Sequence, residues 1–235
     1  MTAHDLEWAH AGDVLRGYLA HPGGTVPGLV LVPDVRGLSD HFRDVARRFA
    51  AAGFATLAVD LYSREGAPSL PDMAAVTAWM RALPDARVLG DLRAAVEWLG
   101  ARADVGRVGI TGFCMGGQYA LMAACRVPGL SACVSWYGLL RYHERPPHKP
   151  ESPLDMAADL ACPYLGLFGA EDGLIPSADV DALEATLAAH GKDFAIVRYA
   201  GAGHAFYNDT RPDAFRPDAA TDAFPRAVAF LHRHL

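Results

Sequence analysis

Three features are absent from this 235-residue chain, and each absence argues against a class of protein. There is no cluster of lysine and arginine and the formal net charge is −6, so no electrostatic surface for a nucleic-acid backbone is expected. No apolar run approaches the roughly 18 residues of a membrane span, and the first seven residues lack the basic and apolar regions of a secretory signal. We therefore expect a soluble, cytoplasmic protein without nucleic-acid or membrane partners.

Cysteine is also scarce, and its distribution argues against disulfides and metal sites. The four cysteines, Cys114, Cys125, Cys133 and Cys162, form no CxxC pair, and a chain of this length does not need disulfides to fold. Three of them lie in apolar runs and are typical of small core residues, whereas Cys114 is the exception. None of the ten histidines belongs to an HExxH motif or a Cys/His ligand set, so no metal site is expected.

The residues that are present predict one α/β domain over residues 1–235. About half of them are apolar and a fifth are charged, which is enough for a sizeable core. Short apolar runs alternate with segments of helical periodicity, the pattern of parallel βαβ units. The predicted strands are Leu29–Pro33, Ala55–Val59, Arg107–Thr111, Ala132–Tyr137, Tyr164–Phe168 and Phe194–Tyr199. The predicted helices are Asp40–Ala51, Pro71–Ala82, Arg87–Leu99, Met115–Arg126, Ala178–Ala189 and Thr221–His234. Residues 138–153 fit neither pattern and are expected to form a surface excursion.

The most informative motif is Gly112-Phe113-Cys114-Met115-Gly116, between a predicted strand and a predicted helix. This is the arrangement of a nucleophile on a sharp, strained turn, where flanking glycines avoid collisions with neighbouring backbone. A thiol at the start of a helix also feels the positive end of the helix dipole, which favours the thiolate. The alternative interpretation is a tight turn that carries a buried, inert thiol.

Two further candidates follow later strands. Asp172 comes after the strand 164–168, and His204 comes after the strand 194–199. The order nucleophile, acid, histidine is that of the α/β-hydrolases, and strand ends converge at one edge of a parallel sheet. His204 would take the proton of the thiol while Asp172 orients the imidazole. Glu171 is the competing acid, Asp172 has an alternative role in a turn, and His204 has one as a structural loop residue.

Seven blocks of the sequence resemble the dienelactone hydrolase (carboxymethylenebutenolidase) family of α/β-hydrolases. They run in order along the chain: 33–37, 60–64, 90–95, 112–117, 136–138, 169–176 and 201–206. The elbow with cysteine is the most specific block, because other α/β-hydrolases usually have serine there. The resemblance implies a mostly parallel sheet with helices on both faces.

The same resemblance implies an activity and a set of site residues. It implies a Cys-His-Asp triad of Cys114, His204 and Asp172, an oxyanion hole formed by the backbone N–H groups of Val35 and Met115, and no cofactor. It also implies that the acidic residue after the early strand, Asp34, contacts the resting thiol. Family members usually have glutamate there, and a structural role of Asp34 in the turn remains open.

The family pattern is least complete at the substrate-binding residues. Relatives hold the carboxylate of the lactone with an arginine four residues after the histidine, and this chain has Asn208 there. Arg36 and Arg211 are candidate replacements, because a guanidinium binds both oxygens of a carboxylate. Tyr137 follows its strand and either lines the pocket or packs in the core.

The sequence therefore predicts a hydrolase of a small lactone or ester that acts through a cysteine acyl-enzyme. A broader carboxylesterase or thioesterase is the enzymatic alternative, and a non-catalytic sensor with a reactive thiol is the alternative from another class. A monomer is expected, and a homo-oligomer remains open.

Overall fold

The apolar runs of the sequence become six strands of one eight-stranded sheet in the computed structural model, which describes residues 1–235. The strands are β1 Thr2–His10, β2 Asp13–His21, β3 Val26–Val32, β4 Ala55–Asp60, β5 Val105–Phe113, β6 Leu130–Trp136, β7 Tyr164–Gly169 and β8 Phe194–Tyr199. The helices are α1 Asp40–Ala51, α2 Met73–Ala82, α3 Asp85–Gly100, α4 Met115–Arg126, α5 Pro153–Met156, α6 Ser177–Ala189 and α7 Pro217–His234. A 3-10 turn, Ala157–Asp159, follows α5.

The strand order is β1-β2-β4-β3-β5-β6-β7-β8. From β4 to β8 all neighbours are parallel, while β2 is antiparallel to both β1 and β4. The predicted α/β class with a mostly parallel sheet is confirmed, and all six predicted strands and six predicted helices are present. The largest shift of a boundary is in α7, which begins at Pro217 rather than Thr221, because proline is well suited to the first turn of a helix.

The antiparallel hairpin β1–β2 was not among the predicted strands. Only Trp8 of β1 is buried, so this edge strand has no apolar run to reveal it. The hairpin turns at Ala11 and Gly12, which both have positive φ, as a two-residue hairpin loop requires. None of the helices is both long enough and apolar enough to cross a membrane.

Parallel pairing brings the carboxyl ends of β3, β5, β7 and β8 to one edge of the sheet. The helix α4 begins directly behind this edge, and every residue of it except Arg126 is buried. A helix that is buried all round is held rigidly, so the residue that precedes it is held rigidly as well. That residue is Cys114.

Candidate active site

Cys114 lies between β5 and α4 with φ 56° and ψ −119°, a conformation that a residue other than glycine rarely adopts. The turn is closed by hydrogen bonds from Cys114 N–H to the Trp136 carbonyl and from Gln118 N–H to the Cys114 carbonyl. A Cβ on Gly112 would overlap the carbonyl of Gly116, and one on Gly116 would overlap that of Val32. Both flanking glycines are therefore required by the close approach of backbone.

Cys114 differs from the other three cysteines in its exposure. Cys114 is half-buried and lines a cleft, whereas Cys125, Cys133 and Cys162 are buried, and no disulfide is present. Burial raises the pKa of Cys125 and Cys162 to about 12 and that of Cys133 well above its ordinary value. Cys114 is therefore the accessible thiol, and the raised pKa values favour the protonated form of the other three.

The imidazole of His204 is joined to a carboxylate on one side only. Its Nδ1 lies 2.8 Å from Oδ2 of Asp172, whose other oxygen accepts the N–H of Leu174 at 2.9 Å. The Asp172 side chain is fully buried, whereas Glu171, the competing acid, is exposed and makes no contact with His204. His204 Nε2 is buried without a hydrogen-bond partner. The imidazole is therefore oriented by Asp172 and has a free nitrogen.

The charge of Cys114 acts strongly on His204. Burial opposes a charged imidazole, but the negative charge of Cys114 and the hydrogen bond to Asp172 outweigh burial and raise the pKa of His204 to about 10. Both residues line the same cleft. A basic imidazole in the same cleft as a thiol can take the proton that must leave before the sulfur acts as a nucleophile.

Two backbone N–H groups near the thiol are free to bind an oxyanion. The Val35 N–H donates no hydrogen bond, and Met115, the first residue of α4, has no intrahelical acceptor for its own. The hydroxyl of the fully buried Tyr62 donates to the Val35 carbonyl at 2.9 Å and lies 3.8 Å from the sulfur of Met115. Tyr62 therefore holds the Val35 turn against the start of α4.

Asp34 is occupied by the turn that contains it. Its Oδ1 accepts the N–H of Arg36 at 2.8 Å and its carbonyl accepts the N–H of Gly37 at 3.0 Å, while no hydrogen bond joins it to Cys114. Burial raises the pKa of Asp34, although the N–H bond and the charge of Arg36 oppose that rise. The structure therefore shows the turn role of Asp34, and the contact with the resting thiol stays a prediction.

The cleft at Cys114 has a volume of about 610 Å³ and contains four arginines in its lining. Arg81 is paired with Glu144, and Arg141 with Asp179. The guanidinium groups of the other two, Arg36 and Arg211, form no ion pair and donate no hydrogen bond to the protein, although both charges act on the buried Asp34. These two cations are therefore available to an anionic ligand.

Tyr137 and Asn208 do not line the cleft. Tyr137 is buried with its ring 5.3 Å from that of His204 and 5.2 Å from that of Phe206, so it packs behind the imidazole. Asn208 is buried, and its Oδ1 accepts the N–H of Thr210 at 3.1 Å and the hydroxyl of Thr210 at 2.6 Å. The structure brings Arg36 and Arg211 to the cleft that Cys114 lines, and it places Asn208 in a turn.

Sequence reasoning did not find a polar cluster that forms one wall of the cleft. The exposed residues of the segment 138–153 all lie within 141–150, and Lys149 in that stretch is buried against Asp85, with Nζ 2.6 Å from Oδ1. Tyr142 from the same segment contacts Gln118 of α4. A lone lysine or glutamine has no periodicity or motif that could have revealed these contacts.

The structure contains no group of three or more histidine, cysteine or acidic side chains arranged to hold a metal ion. The residues at the cleft also include no glycine-rich phosphate loop.

Comparison with known proteins places this chain in a family. Residues 15–235 match the model of the dienelactone hydrolase family. A Bradyrhizobium protein named "Probable 2-oxo-3-(5-oxofuran-2-ylidene)propanoate lactonase" is 39% identical, over 98% of this chain and 95% of that protein. An Escherichia coli K12 protein named "Putative carboxymethylenebutenolidase" is 36% identical, over 95% of this chain and 84% of that protein.

A solved structure supports the same family. The crystal structure titled as a putative dienelactone hydrolase from Klebsiella pneumoniae superposes with a TM-score of 0.90 at 34% identity, and the match covers 98% of each chain. With the fold, the cleft and these matches together, the chain belongs to the dienelactone hydrolase family of α/β-hydrolases, which act on small lactones and esters.

Proposed function

We propose that this hydrolase cleaves its lactone or ester through a thioester on Cys114, with His204 as the proton carrier and Asp172 as its orienting partner. The observation that carries the proposal is the hydrogen bond from His204 Nδ1 to Asp172, which leaves Nε2 free in a residue that lines the same cleft as Cys114. This is the arrangement that activates a nucleophile through a base held by a third group.

The proposed reaction has two steps. Nε2 of His204 holds the proton of the Cys114 thiol, the sulfur attacks the acyl carbon, and the C–O bond to the alkoxide breaks as His204 gives that oxygen its proton. Water then attacks the thioester and loses a proton to His204, and the C–S bond breaks to return the thiolate. The N–H groups of Val35 and Met115 would bind the oxyanion in each step. These two reaction steps need no cofactor.

Trapping of the thioester tests the proposal. Rapid acid quenching during turnover of a chromogenic ester, followed by peptide mass spectrometry, should show the acyl mass on Cys114. Iodoacetamide should label Cys114 before the three buried thiols and should abolish turnover in proportion. A fully labelled Cys114 with unchanged turnover, or an acyl group found on another residue, would contradict the mechanism.

The free arginines favour a substrate that carries a carboxylate. Asn208 removes the cation that relatives use, so preference for anionic lactones is expected to be weak unless Arg36 or Arg211 replaces it. Both guanidinium groups line the cleft without a partner, which supports that replacement. The Bradyrhizobium relative is named for a lactone whose propanoate is an anion. We therefore propose that Arg36 and Arg211 bind the carboxylate of the substrate.

Substitution of the arginines tests whether they bind the carboxylate of the substrate or whether the preference for anionic lactones is weak. A charge-assisted hydrogen bond is worth about 1.5–3 kcal/mol, so Arg36→Ala or Arg211→Ala should lower kcat/KM for a carboxylated lactone about ten- to a hundredfold. The matching neutral lactone should be affected much less. Arg81→Ala is the matched control, because its guanidinium is already paired with Glu144 in the same cleft. Equal losses on both lactones would show that neither arginine is the anchor.

An alternative is a broader carboxylesterase or thioesterase, which a similar kcat/KM for neutral and anionic esters would favour. A thiol sensor on this fold would instead show labelling of Cys114 without turnover. The cytoplasmic location, the monomeric state and the single-domain organisation stay predictions.

A further inference from the structure

Two buried side-chain atoms in the residues of the cleft have no hydrogen-bond partner. One is Nε2 of His204, the nitrogen that the proposed reaction uses, and the other is Oε1 of Gln118. Gln118 is only 2% exposed. A buried polar atom without a partner is unfavourable for the folded chain, so its presence at a cleft suggests that a ligand supplies the partner.

The direction of the Gln118 amide follows from a buried ion pair. Asp85 accepts hydrogen bonds from Lys149 Nζ at 2.6 Å, from the Tyr119 hydroxyl at 2.9 Å and from the Tyr142 hydroxyl at 3.1 Å. Lys149 and Asp85 are each 3% exposed. A buried carboxylate paired with lysine only accepts hydrogen bonds, so each of the two hydroxyls gives its one proton to Asp85.

That assignment determines which atom of the Gln118 amide is left without a partner. Because the Tyr142 proton is used by Asp85, the Tyr142 oxygen can only accept from Gln118, whose amide nitrogen lies 2.7 Å away. The amide nitrogen therefore faces Tyr142 and the amide oxygen is left without a partner. The charge of Asp85 therefore fixes the rotation of the Gln118 amide.

Gln118 lies close to the thiol at the start of α4. It lies in the first turn of α4, and its backbone N–H donates to the carbonyl of Cys114 at 3.1 Å, so the two residues are close in space. Both residues line the cleft. An acyl group bound to Cys114 and extended along α4 would pass Gln118.

We propose that Gln118 is a specificity-determining residue, whose Oε1 accepts a hydrogen bond from an O–H or N–H donor of the substrate about one helical turn from the scissile carbonyl. The proposal rests on Cys114 as the site of acylation. It commits the enzyme to lactones or esters whose acyl portion carries such a donor. A substrate with only an acceptor at that place would face the unpaired amide oxygen and be disfavoured.

Esters of substituted phenylacetic acids test this directly. The 4-nitrophenyl esters of 3- and 4-hydroxyphenylacetic acid place an O–H at two distances from the carbonyl, and their methoxy counterparts keep the oxygen but lose the proton. The wild type should prefer the hydroxyl over the methoxy ester by at least about tenfold in kcat/KM for one of the two positions. Comparable values at both positions would overturn the proposal.

Variants separate hydrogen bonding from the size of the methoxy group. Gln118→Met keeps the length of the side chain and should remove most of the preference, whereas a preference due to size alone would persist. Tyr142→Phe should also reduce the preference, because the amide is then free to turn its nitrogen toward the cleft.

Tyr119→Phe is the matched control, since the Tyr119 hydroxyl donates to the same carboxylate but forms no hydrogen bond with the Gln118 amide. This variant should keep the preference for the hydroxyl ester. If Gln118→Met does not fold, Tyr142→Phe is compared with Tyr119→Phe instead. Equal hydroxyl-to-methoxy ratios of kcat/KM in those two variants would refute the proposal.

The unsubstituted phenylacetate ester separates this proposal from the proposed mechanism. If Cys114→Ala abolishes its hydrolysis while the wild type shows no hydroxyl preference, only the role of Gln118 fails. If hydrolysis of the unsubstituted ester survives in Cys114→Ala, the proposed acylation of Cys114 fails, and the Gln118 proposal that rests on it fails with it.

Discussion

Replacing His204 by alanine should cost about 3–6 kcal/mol of transition-state stabilisation, measured as the fall in kcat/KM for a chromogenic ester. The imidazole is the one group that both carries a free nitrogen at the cleft and is oriented by a buried carboxylate, Asp172. Its loss leaves neither an acceptor for the proton of the thiol nor a donor for the leaving oxygen. A variant that retains more than a tenth of wild-type activity would rule out this role.

The adjacent acids provide a matched control. Asp172→Asn and Glu171→Gln remove the same charge at neighbouring positions, but only Asp172 contacts His204. We expect a large loss of kcat/KM in Asp172→Asn and a small change in Glu171→Gln. The reverse order would mean that Glu171 is the acid.

The titration of His204 gives a second readout for the same triad. Because the charge of Cys114 is the main influence that raises the pKa of His204, Cys114→Ser should shift the NMR titration of this imidazole to lower pH. The pH dependence of the stability follows from the raised pKa of His204. The protonated imidazole stabilises the folded chain fully below its ordinary pKa of 6.5, and this contribution is lost as the pH rises through about 10. An unchanged titration in Cys114→Ser would show that the two groups are not coupled.

Replacing Lys149 by methionine should lower the free energy of unfolding by about 3–5 kcal/mol, because it leaves the carboxylate of Asp85 buried without its cation. Both side chains are almost fully buried and their charged atoms are 2.6 Å apart. Burial lowers the pKa of Lys149, and the hydrogen bond and charge of Asp85 oppose that change. The pair therefore depends on both members, and urea denaturation measures the loss.

Two further variants distinguish a lost charge from lost packing. Lys192, whose Nζ donates to the Leu160 carbonyl at 2.9 Å, is the matched lysine, and Lys192→Met should cost about 1 kcal/mol or less. Adding Asp85→Leu to Lys149→Met should recover part of the stability, since no uncompensated charge remains. A double variant less stable than Lys149→Met alone would contradict the electrostatic explanation.

Local patterns in the sequence were enough to predict the class of the fold and the candidate triad. The alternation of apolar runs with helical segments predicted the six strands β3 to β8, and the glycines around Cys114 predicted a turn that only small residues allow. Asp172 and His204 could be found because each directly follows a strand, and parallel pairing brings strand ends together. The edge strand β1 was missed because its single buried residue gives no apolar pattern. The strand β2 is mostly buried, but Arg16 and Gly17 interrupt its apolar residues.

Only the tertiary structure decided which polar side chains reach the cleft. Lys149 and Asp85 are 64 residues apart, and neither belongs to a motif or a periodic pattern that would predict their contact. The direction of a side chain also depends on its surroundings, so Arg36 and Arg211 line the cleft while Asn208 turns back to Thr210. Strands and helices are encoded by the spacing of apolar residues along the chain. A buried polar contact is instead selected by what lies opposite it once the chain has folded, because desolvation makes a partner necessary but does not specify where in the sequence that partner is.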